Sequence, residues 1–265
     1  MNKTVRDLHV AAAELLRDDY VLLRLIDPTS APMPPVAPGQ FVEVLVSQSA
    51  TTFLRRPISV NDFLADRGEL HLLIHAVGDG TRALLNLKAG DSLNCIFPLG
   101  HGFTMPEADA APSHYLLVGG GVGTAPLLYY GRCLKERGHQ VTFLLGGRSR
   151  RDILQTESFE ALGRVCVTTE DATMGEKGFV TNHSVLKQEH FDAVAACGPK
   201  PMMQAVARYA AAVGTPCEVS LENLMACGLG ACLCCVEKDV HGHNLCVCKE
   251  GPVFNIEQLQ WLISK

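Results

Sequence analysis

Six of the chain's eleven cysteines crowd into one stretch, "LENLMACGLGACLCCVEKDVHGHNLCVCKEGPVF", residues 221–254. From Cys227 the spacing is C-x4-C-x2-C, through Cys232 to Cys235, and Cys246 and Cys248 follow after a loop. That first spacing is the plant-type pattern for a two-iron, two-sulfur cluster, which takes a fourth thiolate from elsewhere. Gly228 and Gly230, with small Ala226 and Ala231, let the backbone wrap closely around an inorganic core. N–H groups of such a loop can point at the sulfides and favour the reduced, more negative state. Zinc also accepts four thiolates, but zinc knuckles usually present two short C-x2-C hooks rather than one tight x4/x2 loop. Disulfides are the third alternative, and clustered cysteines without an export signal argue against them. Spacing leaves the fourth ligand open, because Cys246 and Cys248 share a strand face by parity. Cys234 lies between ligands and should point away from the core. Cys95, Cys133, Cys166 and Cys217 stand in apolar settings and read as small buried residues.

Two further stretches carry anion chemistry. "RRPISV" (55–60) brings together an arginine, a rigid turn and a hydroxyl. "HAVGDGTRALLNL" (75–87) places Gly78, Gly80 and Thr81 just before a helical segment. An arginine and a helix start could hold a pyrophosphate between them, although without the rest of the chain a β-turn and a solvated arginine is the favoured reading. "LLVGGGVGTAPLL" (116–128) is a strand, a glycine run and a helix start, with Thr124 as a possible cap. It departs from G-x-G-x-x-G, since Thr124 and Ala125 stand where the third glycine belongs. "CGPKPMM" (197–203) puts Cys197 at a strand end and Gly198-Pro199 in the following turn, where open α/β sheets bind ligands.

The elements that must position these residues change character along the chain. Residues 1–108 read as a small antiparallel β-barrel, with strands at "DYVLLRLID", "QFVEVLVS", "ELHLLIHAV" and "AGDSLNCIFPLG" and one short helix over 81–88. Residues 109–215 alternate strands with helices, which predicts a parallel sheet covered on both faces; "RDILQTESFEALG" (151–163) is expected as one of the helices. Residues 216–265 form a small cysteine module. The multi-domain chain of 265 residues is 47% hydrophobic and 19% charged, so a sizeable core is expected. A net charge of −5 with no basic block speaks against nucleic acid as a partner. No apolar run is long enough to span a bilayer, and the first twenty residues lack a secretory h-region, so no membrane partner and a reducing, cytoplasmic setting are expected.

Arg-Pro-x-Ser, Gly-Gly-Gly-x-Gly-Thr-x-Pro, Cys-Gly-Pro and the cysteine loop occur here in one order. Across essentially the whole chain this resembles the ferredoxin–NADP reductase superfamily. Within it, "ENLMACGLGACLCCV…VCKEGPVF" resembles the electron-transfer subunits of two-subunit dihydroorotate dehydrogenases. The resemblance implies FAD in the barrel, NADH on the α/β domain and a [2Fe-2S] cluster in the tail. Arg56, Pro57, Ile58 and Ser59 match the family's first FAD segment, Leu73, Ile74 and His75 the second, and Gly80 with Thr81 the third. The nucleotide loops carry Gly120, Gly121, Gly123 and Thr124, then Cys197, Gly198 and Pro199, with Cys197 packing near the nicotinamide. The family's last ligand directly precedes an acidic-Gly-Pro-Val-Phe stretch, which selects Cys248 to join Cys227, Cys232 and Cys235. Cys234 and Cys246 depart from the pattern.

The implied partner is a catalytic subunit holding FMN and the whole dihydroorotate site, in a heterotetramer of two plus two serving pyrimidine biosynthesis. A cluster subunit should expose an apolar patch toward such a partner. "QLQWLISK", with the chain's one tryptophan, is a candidate for it, and a core helix is the other reading. Arg150 and Arg151 in "GGRSRRDIL" (146–154) leave NADPH open beside NADH. The rival functions are the NAD(P)H-side subunit of a bifurcating or hydrogenase-type complex, and a non-catalytic zinc-bound scaffold.

Overall fold

The computed structural model describes residues 3–262. Six strands close into a barrel in the order β1-β2-β5-β4-β3-β6. They are β1 (Thr4–Arg17), β2 (Tyr20–Ile26), β3 (Phe41–Val44), β4 (Arg56–Leu64), β5 (Glu69–His75) and β6 (Ser92–Leu99), and every pairing is antiparallel. Leu23, Leu25, Leu70, Leu72 and Ile74 point inward and fill the interior. The sequence alone suggests no element for β1, whose "AAAELL" lacks β-branched residues. Pairing with both β2 and β6 overrides that weak local preference. The helix expected over 81–88 is α1 (Asp79–Leu84). It starts earlier because Gly78 precedes it in extended conformation and the Thr81 hydroxyl accepts the Val77 and Gly78 N–H groups.

The second layer is a seven-stranded sheet. Its parallel strands are β7 (His114–Gly120), β8 (Gln140–Gly147), β9 (Arg164–Thr169), the two-residue β10 (Glu176–Lys177), β11 (Ala193–Cys197) and β12 (Cys217–Ser220). Helices α2 (Ala125–Glu136), α3 (Thr156–Glu160), α4 (Val185–Gln188) and α5 (Lys200–Val213) cover its faces. From β7 the order runs outward to β8 and β9 on one side and to β11 on the other. That reversal opens a crevice at the carboxyl ends of β7 and β11, the switch point where open α/β sheets take ligands.

The helix expected over 151–163 is broken. Gln155 has φ +55, a left-handed conformation, and separates a 3₁₀ turn (Arg150–Asp152) from α3. The Gln155 amide exchanges hydrogen bonds with that of buried Asn61 in the barrel, and this inter-domain pairing prevails over helix propensity. Helix α2 completes the join: Arg132 pairs with Asp62, and the Tyr129 hydroxyl donates to the Val36 carbonyl at 2.7 Å.

The cysteine segment is woven into this sheet rather than appended to it. β12 lies beyond residue 215 and is a full member of the sheet, and β15 (Val253–Asn255) pairs antiparallel with it at the edge. Between them run the cysteine loop, a hairpin of β13 (Val236–Lys238) and β14 (Asn244–Cys246), and a helical turn, α6 (Val247–Glu250). Trp261 is buried in the core cluster under this segment, so it offers no exposed patch. The end of "QLQWLISK" lies outside the described residues, and its beginning forms 3₁₀ turns instead of a helix.

Candidate redox site

A crevice of about 340 Å³ lies where the barrel, the sheet and the cysteine segment meet. β4 lines it at Pro57, Ile58 and Ser59, with Ile58 also packed in the barrel core, and β5 presents Leu73 and His75, which share a face of their strand. Ile74 falls on the other face and is fully buried in the barrel core, so its side chain does not reach the crevice. Thr81 lines the crevice from α1. Gly80 brings the α1 turn against Arg56: a Cβ there would stand 3.2 Å from the Arg56 Nε and 2.9 Å from Thr52. The FAD segments expected from the sequence therefore converge, as a cradle with one cation beside a glycine turn. His75 stacks on Tyr20 with ring centroids 4.2 Å apart, and its Nε2 lies 3.2 Å from Asp19. Hydrogen bonds from Arg17, then His75, hold the Asp19 carboxyl down at about 2.

The nucleotide loops stand at the sheet's switch point. Gly120 ends β7 and packs on Met202, where a Cβ would meet the sulfur at 2.6 Å. Gly121 needs its glycine for φ +57. Gly123 abuts the other loop: a Cβ would lie 2.5 Å from the Gly198 Cα. The Thr124 hydroxyl donates to the Gly121 carbonyl at 3.0 Å, closing the 3₁₀ turn rather than capping α2 as the sequence suggested. Cys197 is fully buried beneath Gly198 and Pro199, and burial raises its thiol well above the usual range. It stays a neutral packing group there.

The residues that sequence reading missed sit on the strap leaving β12. Leu221, Glu222, Asn223 and Met225 line the crevice, as do Val122 and Ala125. Leu221, Glu222 and Asn223 also border a second hollow of about 250 Å³ against Gly198, Pro199 and Lys200. Glu222 borders the crevice, and the surrounding protein desolvates its carboxyl and raises it above the usual carboxylate range. The available signal was only their place between a sheet strand and Cys227.

Two residues beyond that strap the cysteine loop begins. The Cys227 sulfur accepts the Leu229 N–H, the Cys248 sulfur accepts the Gly230 N–H at 3.1 Å, and the Cys235 sulfur accepts the Cys248 N–H at 3.3 Å. Gly228 and Gly230, at φ +63 and +84, make that wrap possible. Burial opposes ionisation of Cys227, yet the N–H donors of Leu229, Cys232 and Ala231 outweigh it and bring the thiol down to about 6. Burial, then the neighbouring Cys235, pushes Cys248 up to about 12. Cys235 and Cys248 are buried, Cys227 is half-buried, and Cys232 and Cys234 are exposed. N–H groups aimed at the Cys227, Cys235 and Cys248 sulfurs suit an anionic iron–sulfur core, but among the described residues no three ligating side chains are gathered closely enough to hold a metal ion.

Glu43 of β3 lies directly beneath this loop. A Cβ on Gly228 would come within 2.6 Å of it, it is fully buried, and neither carboxylate oxygen has a hydrogen-bond partner. It is the one charged residue in an otherwise apolar strand, which was the signal in the sequence. Burial pushes its pKa up to about 7, against the pull of Arg55. The folded state therefore favours the protonated acid, and its contribution to stability is full below the ordinary carboxylate range and lost as pH rises through 7. Glu43→Gln should accordingly gain stability relative to the parent between pH 5 and pH 8, by roughly 2 kcal/mol after allowing for screening. Thermal midpoints of both proteins, loaded with FAD and iron, measure that gap; a gap independent of pH would remove the assignment.

Comparison with known proteins agrees with this geometry. Residues 222–260 match the family model for the iron-sulfur cluster binding domain of dihydroorotate dehydrogenase B, and residues 117–208 match the oxidoreductase NAD-binding domain. The "Dihydroorotate dehydrogenase B (NAD(+)), electron transfer subunit" of Shouchella clausii is 36% identical over 258 residues, covering 94% of this chain and 95% of that protein. Its namesake in Caldanaerobacter subterraneus is 40% identical over 225 residues, covering 84% and 86%. The chain belongs to this family of electron transfer subunits. It is an oxidoreductase subunit whose cofactors are FAD, a [2Fe-2S] cluster and NAD(H). Among solved structures, a chain of the NADH-dependent reduced ferredoxin-NADP oxidoreductase, described for flavin-based electron bifurcation, superposes with TM-score 0.82 at 28% identity, covering 99% of this chain and 92% of that one. The ferredoxin reductase of carbazole 1,9a-dioxygenase shares the fold at TM-score 0.67 and 22% identity, over 82% and 68%. Among the described residues no helix is long and apolar enough to cross a membrane.

Proposed function

We propose that this chain relays electrons between NAD(H) and the FMN of a dihydroorotate-oxidising partner subunit, in a two-plus-two assembly of pyrimidine biosynthesis. The observation that carries this reading is the strap 221–225: Leu221, Glu222, Asn223 and Met225 border the crevice, and two residues on Cys227 opens the cysteine loop. FAD, when bound, exchanges a hydride with NAD(H), and the cluster carries electrons singly. The chain's own residues supply binding, orientation and electrostatics. Pro57, Ser59, Leu73 and His75 hold the ring system, Arg56 with the Gly80–Thr81 turn meets the pyrophosphate, and the 120–124 and 197–199 loops place the nicotinamide. Cys227, Cys232, Cys235 and Cys248 hold the iron.

The partner's face follows from what is exposed beside those cysteines. Leu224, Leu229 and Leu233 are 83%, 45% and 57% exposed. Large apolar side chains left in water around a charge-transfer centre mark a docking surface. This reading moves the expected apolar patch from the C-terminus to the cysteine loop. Leu224→Asp with Leu229→Asp should weaken association with the catalytic subunit at least about tenfold, the effect of losing two buried anchors, while iron and flavin contents hold.

The deciding experiment is co-purification from the native cell, with dihydroorotate-dependent reduction of NAD⁺ by the complex and none by either subunit alone. Recovery of a hydrogenase-like or ferredoxin-NADP oxidoreductase partner instead would favour the second reading, a module of a bifurcating complex. The near-complete superposition on the bifurcating oxidoreductase keeps that reading in play. A colourless protein carrying one zinc would end both.

A further inference from the structure

We propose that the Lys200–Glu237 ion pair is a positioning element for nucleotide binding. It ties the 197–199 loop to the β13–β14 hairpin of the cysteine segment, so that NAD(H) is held firmly only while that hairpin keeps its place. This rests on the placing of the nicotinamide at the 197–199 loop above.

Lys200 is the first residue of α5 and directly follows Cys197-Gly198-Pro199. A cation there works against the helix dipole, whose N-terminal end is positive, and the first turn of α5 holds no acidic residue to offset it. The compensating carboxylate comes from another element. The Lys200 Nζ donates to Glu237 Oε2 at 2.9 Å, and Glu237 stands on β13, just beyond Cys235. Among the described residues this is the one ion pair joining a helix of the large sheet to the hairpin. A residue that breaks a local rule and is satisfied from far along the chain marks a demand of the tertiary structure.

Both partners are held from elsewhere. The Lys200 Nζ lies 5.7 Å over the ring of buried Trp261, within reach of a cation–π attraction. Glu237 is only 17% exposed, so water screens the pair less than it would on an open surface. The two side chains line the hollow of about 250 Å³, opposite Gly198, Pro199 and the strap residues Leu221, Glu222 and Asn223. The Asn223 amide reaches from that strap to the Cys235 and Val236 carbonyls at 3.4 and 3.5 Å. At the other end of the hairpin, the Val240 N–H donates to the Gln258 carbonyl at 3.0 Å. Nucleotide loop and hairpin thus share one hollow, and Lys200–Glu237 is the charged link across it. Such a link is reciprocal: a ligand that fixes the loop steadies the hairpin by the same free energy by which the hairpin steadies the loop.

The test is titration of the full chain, loaded with FAD and cluster, with NAD⁺. Binding is followed by calorimetry and by the emission of Trp261, the chain's one tryptophan. In the parent, NAD⁺ should change that emission. Lys200→Met and Glu237→Gln should each weaken NAD⁺ binding by about three- to fivefold and flatten the emission change, since the effect cannot exceed what the pair is worth. The swap Lys200→Glu/Glu237→Lys should restore affinity and emission change together, and Lys200→Arg should keep both. Flavin and iron contents, measured alongside, should match the parent in every variant. Weaker binding in Lys200→Met without any in Glu237→Gln makes the lysine a direct nucleotide contact and overturns the link, as does a swap that restores nothing. Parental affinity in both single variants also overturns it and leaves the NAD(H) reading standing. Failure of the parent to bind NAD⁺ overturns both readings.

Discussion

Replacing Cys248 by serine should strip the chain of iron, whereas Cys246→Ser should leave the iron in place. Cys248 is 1% exposed, its sulfur accepts the Gly230 N–H across the loop, and its own N–H donates to the Cys235 sulfur. It is thus bonded into the same loop as Cys227 and Cys235. Cys246 ends β14 opposite Val236, half-exposed, with its N–H taken by Glu250. Iron analysis, visible absorbance and the reduced-state EPR signal of the two variants separate the roles directly. Electron delivery beyond the flavin should fall by more than about 100-fold in Cys248→Ser, since loss of even an outer-shell partner costs 10–100-fold. NADH-driven bleaching of the flavin should persist. Iron retained in Cys248→Ser and lost in Cys246→Ser would reverse the ligand assignment.

Gly123→Ala should cripple use of the nucleotide while sparing flavin and iron. The added methyl would lie 2.5 Å from the Gly198 Cα and 2.6 Å from the Cys197 carbonyl carbon. Those are backbone atoms of a buried strand end, so neither can swing aside as a flexible side chain would. The two nucleotide loops must separate, at a strain of about 1–3 kcal/mol typical of overpacking. Because they meet at the switch point, the expected result is a rise in KM for NADH of tenfold or more. Gly121→Ala makes an informative comparison, since open space surrounds that position and only its φ of +57 resists. Equal KM values for Gly123→Ala and the parent would show that the loops do not jointly place the nucleotide.

The fourth ligand shows where sequence reasoning stops. Parity placed Cys246 and Cys248 on one strand face, and that inference holds only while the strand continues. The strand ends at Cys246 and a helical turn starts at Val247, so the two thiols diverge. The resemblance to a known tail selected Cys248; local periodicity could not. Ile74 makes the same point in reverse. It lies inside a correctly read strand, but only the closed barrel shows that its face is the interior. Gln155 broke an expected helix because its partner, Asn61, is far away in sequence and touches it only once the domains pack.

The residue order by itself determined the three kinds of chemistry and their sequence along the chain. Those are local properties: cysteine spacing, glycine runs and apolar strands need no distant partner to be recognised. Tertiary structure alone decided that the cysteine segment is threaded through the sheet by β12 and β15, that the 221–225 strap walls the crevice, and that Glu43 lies buried under Gly228. Each of these depends on contacts between residues far apart in the chain, which burial of a shared apolar core creates and no local pattern encodes.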